Sequence, residues 1–174
     1  MAAHLWLLFN YQLALNPTRM ARSMDPWFAA YGESHQHPLN TAIHWICVPA
    51  IYFSIVGLLM CIPAPATDLL PAYPWAWASL VLVLAFYLPR SIPLSIAMVL
   101  WTALCIFIGD RFLHLAPWSL WSLCVTVFVL AWIGQFYGHK VEGKKPSFLK
   151  DVQFLLVGPA WLMAKLFRRW RLRY

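Results

Sequence analysis

Four long apolar runs, separated by short polar or proline-bearing links, set the pattern of the chain. The first extends from about Ile43 to Ile62 and holds no charge. The second and third, about Ala72 to Leu88 and about Ile92 to Ile108, flank the link Pro89-Arg90-Ser91. The fourth extends from about Trp118 to Tyr137. A helix needs about 20 mostly apolar residues to cross a hydrocarbon core roughly 30 Å thick. The pattern therefore predicts four transmembrane helices, the middle two forming an antiparallel hairpin that turns at Arg90. Trp75, Trp77, Trp118 and Trp121 lie near span ends, where amphipathic rings anchor at headgroup level. The loop from Pro63 to Pro74 is proline-rich and carries one acid, Asp68.

Beyond the fourth run the pattern changes. Phe148, Val152, Leu155 and Leu156 recur at helical spacing until Gly158-Pro159 interrupts them. Lys165, Arg168, Arg169, Arg171 and Arg173 follow, interleaved with Phe167, Trp170 and Tyr174. This predicts a C-terminal amphipathic helix lying in the membrane interface, since a fifth span here would carry the basic end to the opposite side. Residues 1–24 form an N-terminal extension that lacks a basic leading region and a small-residue cleavage site, and Met20 and Met24 are alternative starts within it. Residues 25–167 then make a single four-span domain, and 168–174 a basic tail.

Composition narrows the class. Hydrophobic residues make up 62% of the 174, and only 13 Lys plus Arg and 6 Asp plus Glu carry charge. A soluble domain of this size buries about 70% of its surface and needs polar residues for the remainder. An ordinary soluble enzyme, a disordered chain and a disulfide scaffold are excluded, leaving an all-α polytopic membrane protein. Cys47, Cys61, Cys105 and Cys124 sit in apolar runs without CxxC pairing and read as small buried hydrophobes.

Charge supplies an orientation. Four spans place both termini and the Arg90 link on one side. Twelve Lys and Arg fall there (Arg19, Arg22, Arg90 and nine from Lys140 to Arg173), against Arg111 alone on the other. Both termini are therefore expected in the cytoplasm. Through residue 138 the basic and acidic residues cancel, so the whole net charge of +7 belongs to the tail. Beside four spans, the expected partner of that tail is a bilayer with anionic headgroups rather than nucleic acid.

Polar residues are scarce, so their clustering is informative. His35, His37, Asn40 and His44 enter the first span, and Pro38 suits the first turn of its helix. Asn40 and His44 then share a face, with His37 near the same stripe. Gln135, His139 and Glu142 share a face at the end of the fourth span. Topology brings both groups to the same membrane side and leaves His114 on the other. Four histidines and a carboxylate in one layer would suit iron, zinc, copper or nickel. Phosphate loops, dinucleotide fingerprints, GxSxG and HExxH motifs are absent from the sequence. Six histidines are few for a dinuclear site, so a single metal with open positions is the expectation, and a pocket bordering lipid favours a fatty substrate.

The segments Tyr31…His35-Gln-His37-Pro-Leu-Asn40-Thr-Ala-Ile-His44-Trp-Ile-Cys-Val-Pro49 and Gln135-Phe-Tyr-Gly138-His139-Lys-Val-Glu142-Gly-Lys-Lys-Pro146 resemble a known family, and Phe154-Leu-Leu-Val-Gly-Pro159 continues the likeness. It is the family of the fungal endoplasmic-reticulum 2-hydroxy-palmitic acid dioxygenase and its bacterial relatives. The resemblance covers about Asp25 to Phe167, and the chain departs from the fungal pattern at Gln36, at His37 and in the spacing from His139 to Glu142. It implies a multi-pass enzyme that uses Fe(II) and O₂ to shorten a 2-hydroxy fatty acid by one carbon. It also implies metal-site histidines at His35, His44 and His139, with His37 a further candidate. The substrate's 2-hydroxy and carboxylate oxygens would chelate the metal. Asn40, Gln135 and Glu142 are the candidates for orienting the imidazoles, and Lys144 or Lys145 for attracting the carboxylate. The likeness of the second motif and tail to the bacterial relatives points to a bacterial inner membrane, or to the endoplasmic reticulum in a eukaryote. Two other functions fit the residues: a zinc-dependent membrane hydrolase on the same histidines, and a non-enzymatic lipid-binding or scaffold protein.

Overall fold

Helices α1 (Asp25–Gly32), α2 (Pro38–Met60), α3 (Pro74–Tyr87), α4 (Ile92–Leu115), α5 (Leu120–Glu142) and α6 (Phe148–Arg169) make up the protein in its computed structural model. Residues 24–64, 70–116, 119–144 and 148–174 are described, the side chains of 148–155 excepted. No strand occurs among them. The expectations for the extension before Met24, for Asp68, Trp118 and Lys145, and for the side chains of Phe148, Val152 and Leu155 lie outside the described residues.

Local chemistry sets the helix starts. Prolines occupy the first turns of α1 to α4, where the missing N–H costs no hydrogen bond. His37 caps α2, its Nδ1 accepting from the Leu39 N–H at 3.2 Å, and the Ser91 hydroxyl caps α4 through the Leu94 N–H. Gly143, at φ 72°, ends α5 in the left-handed conformation that glycine adopts without strain.

Three helices, α2, α4 and α5, are long and apolar enough to cross a membrane. The second apolar run is helical only over the 14 residues of α3, about 21 Å at 1.5 Å per residue. Its end is set at Tyr87, whose carbonyl accepts from the N–H groups of Arg90 and Ser91 and closes the turn into α4. The outward faces carry a girdle of exposed apolar side chains, among them Ile46, Val81, Leu82, Leu100, Leu130 and Ile133. So continuous an apolar exterior has no place in water and suits lipid.

The most extensive helix pairing joins α2 to α5. Small residues let their backbones approach, as at other intramembrane crossings. A Cβ on Gly134 would lie 2.7 Å from the Cys47 sulfur, and one on Gly138 would overlap the Asn40 amide oxygen. At the far end a Cβ on Gly109 of α4 would meet Met60 of α2, so these two helices finish on the same side.

Two elements depart from the sequence pattern. The first is α1, a short helix not anticipated, which starts at Asp25-Pro26 and buries Phe28 and Tyr31. The second is α6, which continues through Gly158-Pro159 instead of breaking there. Packing offsets the proline's lost hydrogen bond. Val157, Ala160, Trp161, Leu162 and Ala164 are buried against the bundle, and the Tyr87 hydroxyl donates to the Leu156 carbonyl beside the proline. The α6 helix thus roofs the end of the bundle where α2 begins and α5 ends.

Candidate metal centre

His44 projects from the second turn of α2, His139 from the last turn of α5, and His35 from the loop between α1 and α2. The three rings meet nearly edge-on: centroids are 4.2 Å apart for His35–His44, and 5.1 Å for both His35–His139 and His44–His139. Interplanar angles of 73° to 87° show the rings set around a common point rather than stacked. One ring nitrogen from each lies within 4.8 Å of the other two.

Backbone carbonyls fix which nitrogens face inward. His35 Nδ1 donates to the Tyr31 carbonyl at 2.5 Å, and His44 Nδ1 to the Asn40 carbonyl at 2.8 Å. A carbonyl only accepts, so both Nδ1 atoms carry the proton and both Nε2 atoms present a lone pair. Those Nε2 atoms, and Nδ1 of His139, are buried with no hydrogen-bond partner. His35 also stacks on Tyr31, the centroids 4.0 Å apart at 13°. Burial, reinforced by the neighbouring His44, lowers the His35 pKa from 6.5 to about 3, so this ring is neutral at physiological pH.

Because His35 lies on a loop, its position depends on what holds that loop. Glu142, at the end of α5, does much of this. Its Oε1 accepts from the Gln36 N–H at 2.9 Å, and its Oε2 from the His37 N–H at 2.8 Å and the Asn40 amide at 3.2 Å. Asn40 donates as well to the Ser34 carbonyl at 3.0 Å, and Thr41 to the His35 carbonyl at 3.1 Å. A carboxylate bonded to these donors at the N-terminus of α2 is stabilised by the helix dipole too. Glu142 is therefore a strap between α5 and the loop, and its oxygens are committed away from the imidazoles.

Other candidates from the sequence separate. Gln135 is buried and lies against His44. His37 is exposed, caps α2 and stays outside the group of three. Lys144 is exposed, and its Nζ donates to the Glu33 carbonyl at 2.5 Å. His114 stands at the opposite end, 3.6 Å from Asp110, with 70% of its side chain exposed. One further residue borders the centre without having been singled out in the sequence, and a lysine of the basic tail rests on it. Trp161 of α6 is buried with its ring 5.5 Å from His35, and the Lys165 ammonium lies 3.5 Å from the centre of the Trp161 ring. The position of Trp161 beyond Gly158-Pro159, where the pattern predicts a break, hid it.

Three bare imidazole nitrogens buried in one place form a donor set that fits a transition metal. Without an ion they are unsatisfied acceptors, which proteins seldom bury. No carboxylate joins the set among the described residues.

Fold and site together define a helical membrane protein with a three-histidine candidate metal centre at one end of its bundle. The family model described as 2-hydroxy-palmitic acid dioxygenase Mpo1-like matches residues 21–170, and the chain belongs to that family. No curated protein and no solved structure matches the chain.

Proposed function

We propose that this protein is an Fe(II)-dependent membrane dioxygenase that shortens 2-hydroxy fatty acids by one carbon. The observation that carries the reading is the convergence of three unpartnered imidazole nitrogens in a member of a family bearing the dioxygenase description. His35, His44 and His139 would hold the metal, leaving coordination positions for a chelating substrate. A bound iron would supply the redox chemistry with O₂. Balance then defines the overall change: RCH(OH)COOH and O₂ give RCOOH, CO₂ and H₂O, with the bond between carbons one and two broken and O₂ taking up four electrons.

The chain's own residues prepare this chemistry. Tyr31 and Asn40 hold two imidazoles in one tautomer through their carbonyls. Glu142 pins the His35 loop to α5, and Gln135 flanks His44. Trp161 and the rest of the buried face of α6 exclude water from the His35 side.

The same reading completes the membrane arrangement. The α3 helix with its Arg90 turn forms a short fourth span, and α6 lies along the interface. The lysines and arginines then collect on the side of the histidines, supporting cytoplasmic termini and contact of Arg168, Arg169, Arg171 and Arg173 with anionic headgroups. A bacterial inner membrane is the proposed location.

The test is incubation of detergent-purified, Fe(II)-loaded protein with 2-hydroxypalmitate under oxygen. Formation of the fifteen-carbon acid with matching oxygen uptake is expected. Stoichiometric zinc in the purified protein, with no iron-dependent oxygen uptake, would overturn the reading.

A further inference from the structure

A 2-hydroxy fatty acid that chelates a metal held by His35, His44 and His139 through its 2-hydroxyl and one carboxylate oxygen leaves the second carboxylate oxygen for the protein to meet. Under the buried face of α6 that oxygen calls for a donor close to the histidines, and a charged one binds it best. The cations of this layer differ in what they already do. Lys144 is exposed and bonded to Glu33. Arg90 donates through one Nη to the Phe86 carbonyl and lies over the Phe86 ring, leaving its Nε unpartnered. Arg168 donates through Nε to the Tyr174 hydroxyl at 2.7 Å in an exposed position. Lys140 is exposed on the outside of α5.

Lys165 is different. Its side chain is half-buried, and its ammonium rests on the face of Trp161, which borders His35 on the same roof. Among the described residues no carboxylate pairs with it and no oxygen accepts from it. An indole face attracts a cation but leaves the N–H donors unspent. Burial and the nearby Arg168 push the Lys165 pKa down, a penalty that an incoming anion relieves. A lysine stem is long and flexible, so the ammonium can move off the ring toward the imidazoles while its alkyl part stays packed.

We propose that Lys165, seated on the Trp161 ring that borders His35, binds the substrate carboxylate and makes the site selective for free acids over neutral esters. This rests on the proposed dioxygenase function, but it concerns binding and is measured apart from turnover.

The experiment compares full-length wild type, Lys165→Met, Lys165→Arg and Lys144→Met in detergent. Each is checked for metal content and thermal unfolding, then for equilibrium binding of radiolabelled 2-hydroxypalmitate and of its methyl ester. Lys165→Met should keep its metal and its melting profile and lose about tenfold or more in affinity for the acid, because a charge-assisted bond is removed. Its affinity for the ester should stay within about twofold of wild type, Lys165→Arg should recover most of the acid affinity, and Lys144→Met should bind like wild type. In turnover the KM for the acid should rise while kcat changes little. Equal binding of the acid by wild type and Lys165→Met overturns the proposal, as does an equal loss for acid and ester, which marks a structural defect. If wild type prefers the acid through Lys165 yet releases no fifteen-carbon product, the proposed function fails and the carboxylate site stands. If wild type makes the product and Lys165→Met does so with unchanged KM, the carboxylate site alone fails.

Discussion

Each end of the helical bundle holds a histidine near a carboxylate, and the two ends use these groups in opposite ways. At one end His114, Arg111 and the Tyr73 hydroxyl gather around Asp110, with most of the His114 side chain exposed. Charge there meets charge in reach of solvent, which stabilises little. At the other end His35 and His44 are withdrawn from solvent with His139 half-buried beside them, and Glu142 spends its oxygens on backbone N–H groups of the loop that carries His35. A carboxylate that orders a loop and leaves imidazole lone pairs bare builds a ligand site. One that pairs with the histidine directly uses the imidazole up.

The sharpest way to break this contrast is to remove a histidine from each end. His44→Ala or His139→Ala should lower metal affinity by at least about 100-fold, beyond the 10–100-fold range of outer contacts, whereas His114→Ala should leave it unchanged. Metal content after dialysis of purified protein measures both. If the variants at the two ends behave alike, the converging-site argument fails.

A smaller effect is expected at the strap. Glu142→Ala frees the Gln36 and His37 N–H groups and the Asn40 amide, and should weaken metal binding by about 10–100-fold without removing a ligand. Titration of the stripped protein with Fe(II) or Zn(II) gives the figure. An affinity loss as large as that of His139→Ala would instead argue that Glu142 ligates the metal itself.

Next comes pH. The folded pKa of His35, about 3, lies below the value of 6.5 for an unburied ring, so the unfolded chain takes up this proton first. Stability of the metal-free protein should therefore be complete above pH 6.5 and fall below it, by about 1.4 kcal/mol per pH unit from this residue, until the folded pKa is reached. Unfolding midpoints in detergent between about pH 7 and pH 5 would follow the slope. His35→Gln should remove this contribution and His114→Gln should leave it in place.

The smallest effect belongs to the far end. Tyr73→Phe deletes the 2.8 Å bond to Asp110 and should cost about 0.5–1 kcal/mol at most, with metal content unaltered. A larger loss in thermal unfolding would show that this exposed cluster is more than a surface arrangement.

Much of the candidate centre was legible from spacing. Pro38 marks the start of α2, and the step of four from Asn40 to His44 puts both on its buried face. Gln135, His139 and Glu142 follow the same rule at the end of α5. Topology then assigned His114 to the other end. The roles within the layer were not legible, because spacing describes one helix at a time. His37 and His35 are two residues apart in near-identical surroundings, yet one ring caps α2 and the other turns inward onto Tyr31. Glu142 could have been read as a ligand or an orienter of imidazoles, and only the positions of the Gln36 and His37 N–H groups make it a strap.

The tail illustrates the same limit. Gly158-Pro159 reads as a helix break on propensity, since proline lacks the N–H and crowds the preceding turn. Burial of Val157, Ala160 and Trp161 against the bundle outweighs that preference and carries α6 over the histidines. The signal for α1 was present in Asp25-Pro26, an acid and a proline at a helix start, but eight residues carry too little periodicity to stand out.

The amino-acid sequence by itself determined the all-helical class of this protein, the existence of its long apolar helices and the end of the bundle where its polar groups collect. These follow from local rules: the length of an apolar run, the period of a helix and the phase of a few prolines. Tertiary structure alone decided which imidazole nitrogens face one another, what Glu142 holds and that Trp161 lies against His35. Those relations join residues about a hundred positions apart, and they come into being only when α2 packs on α5 and α6 packs over α1 and α2.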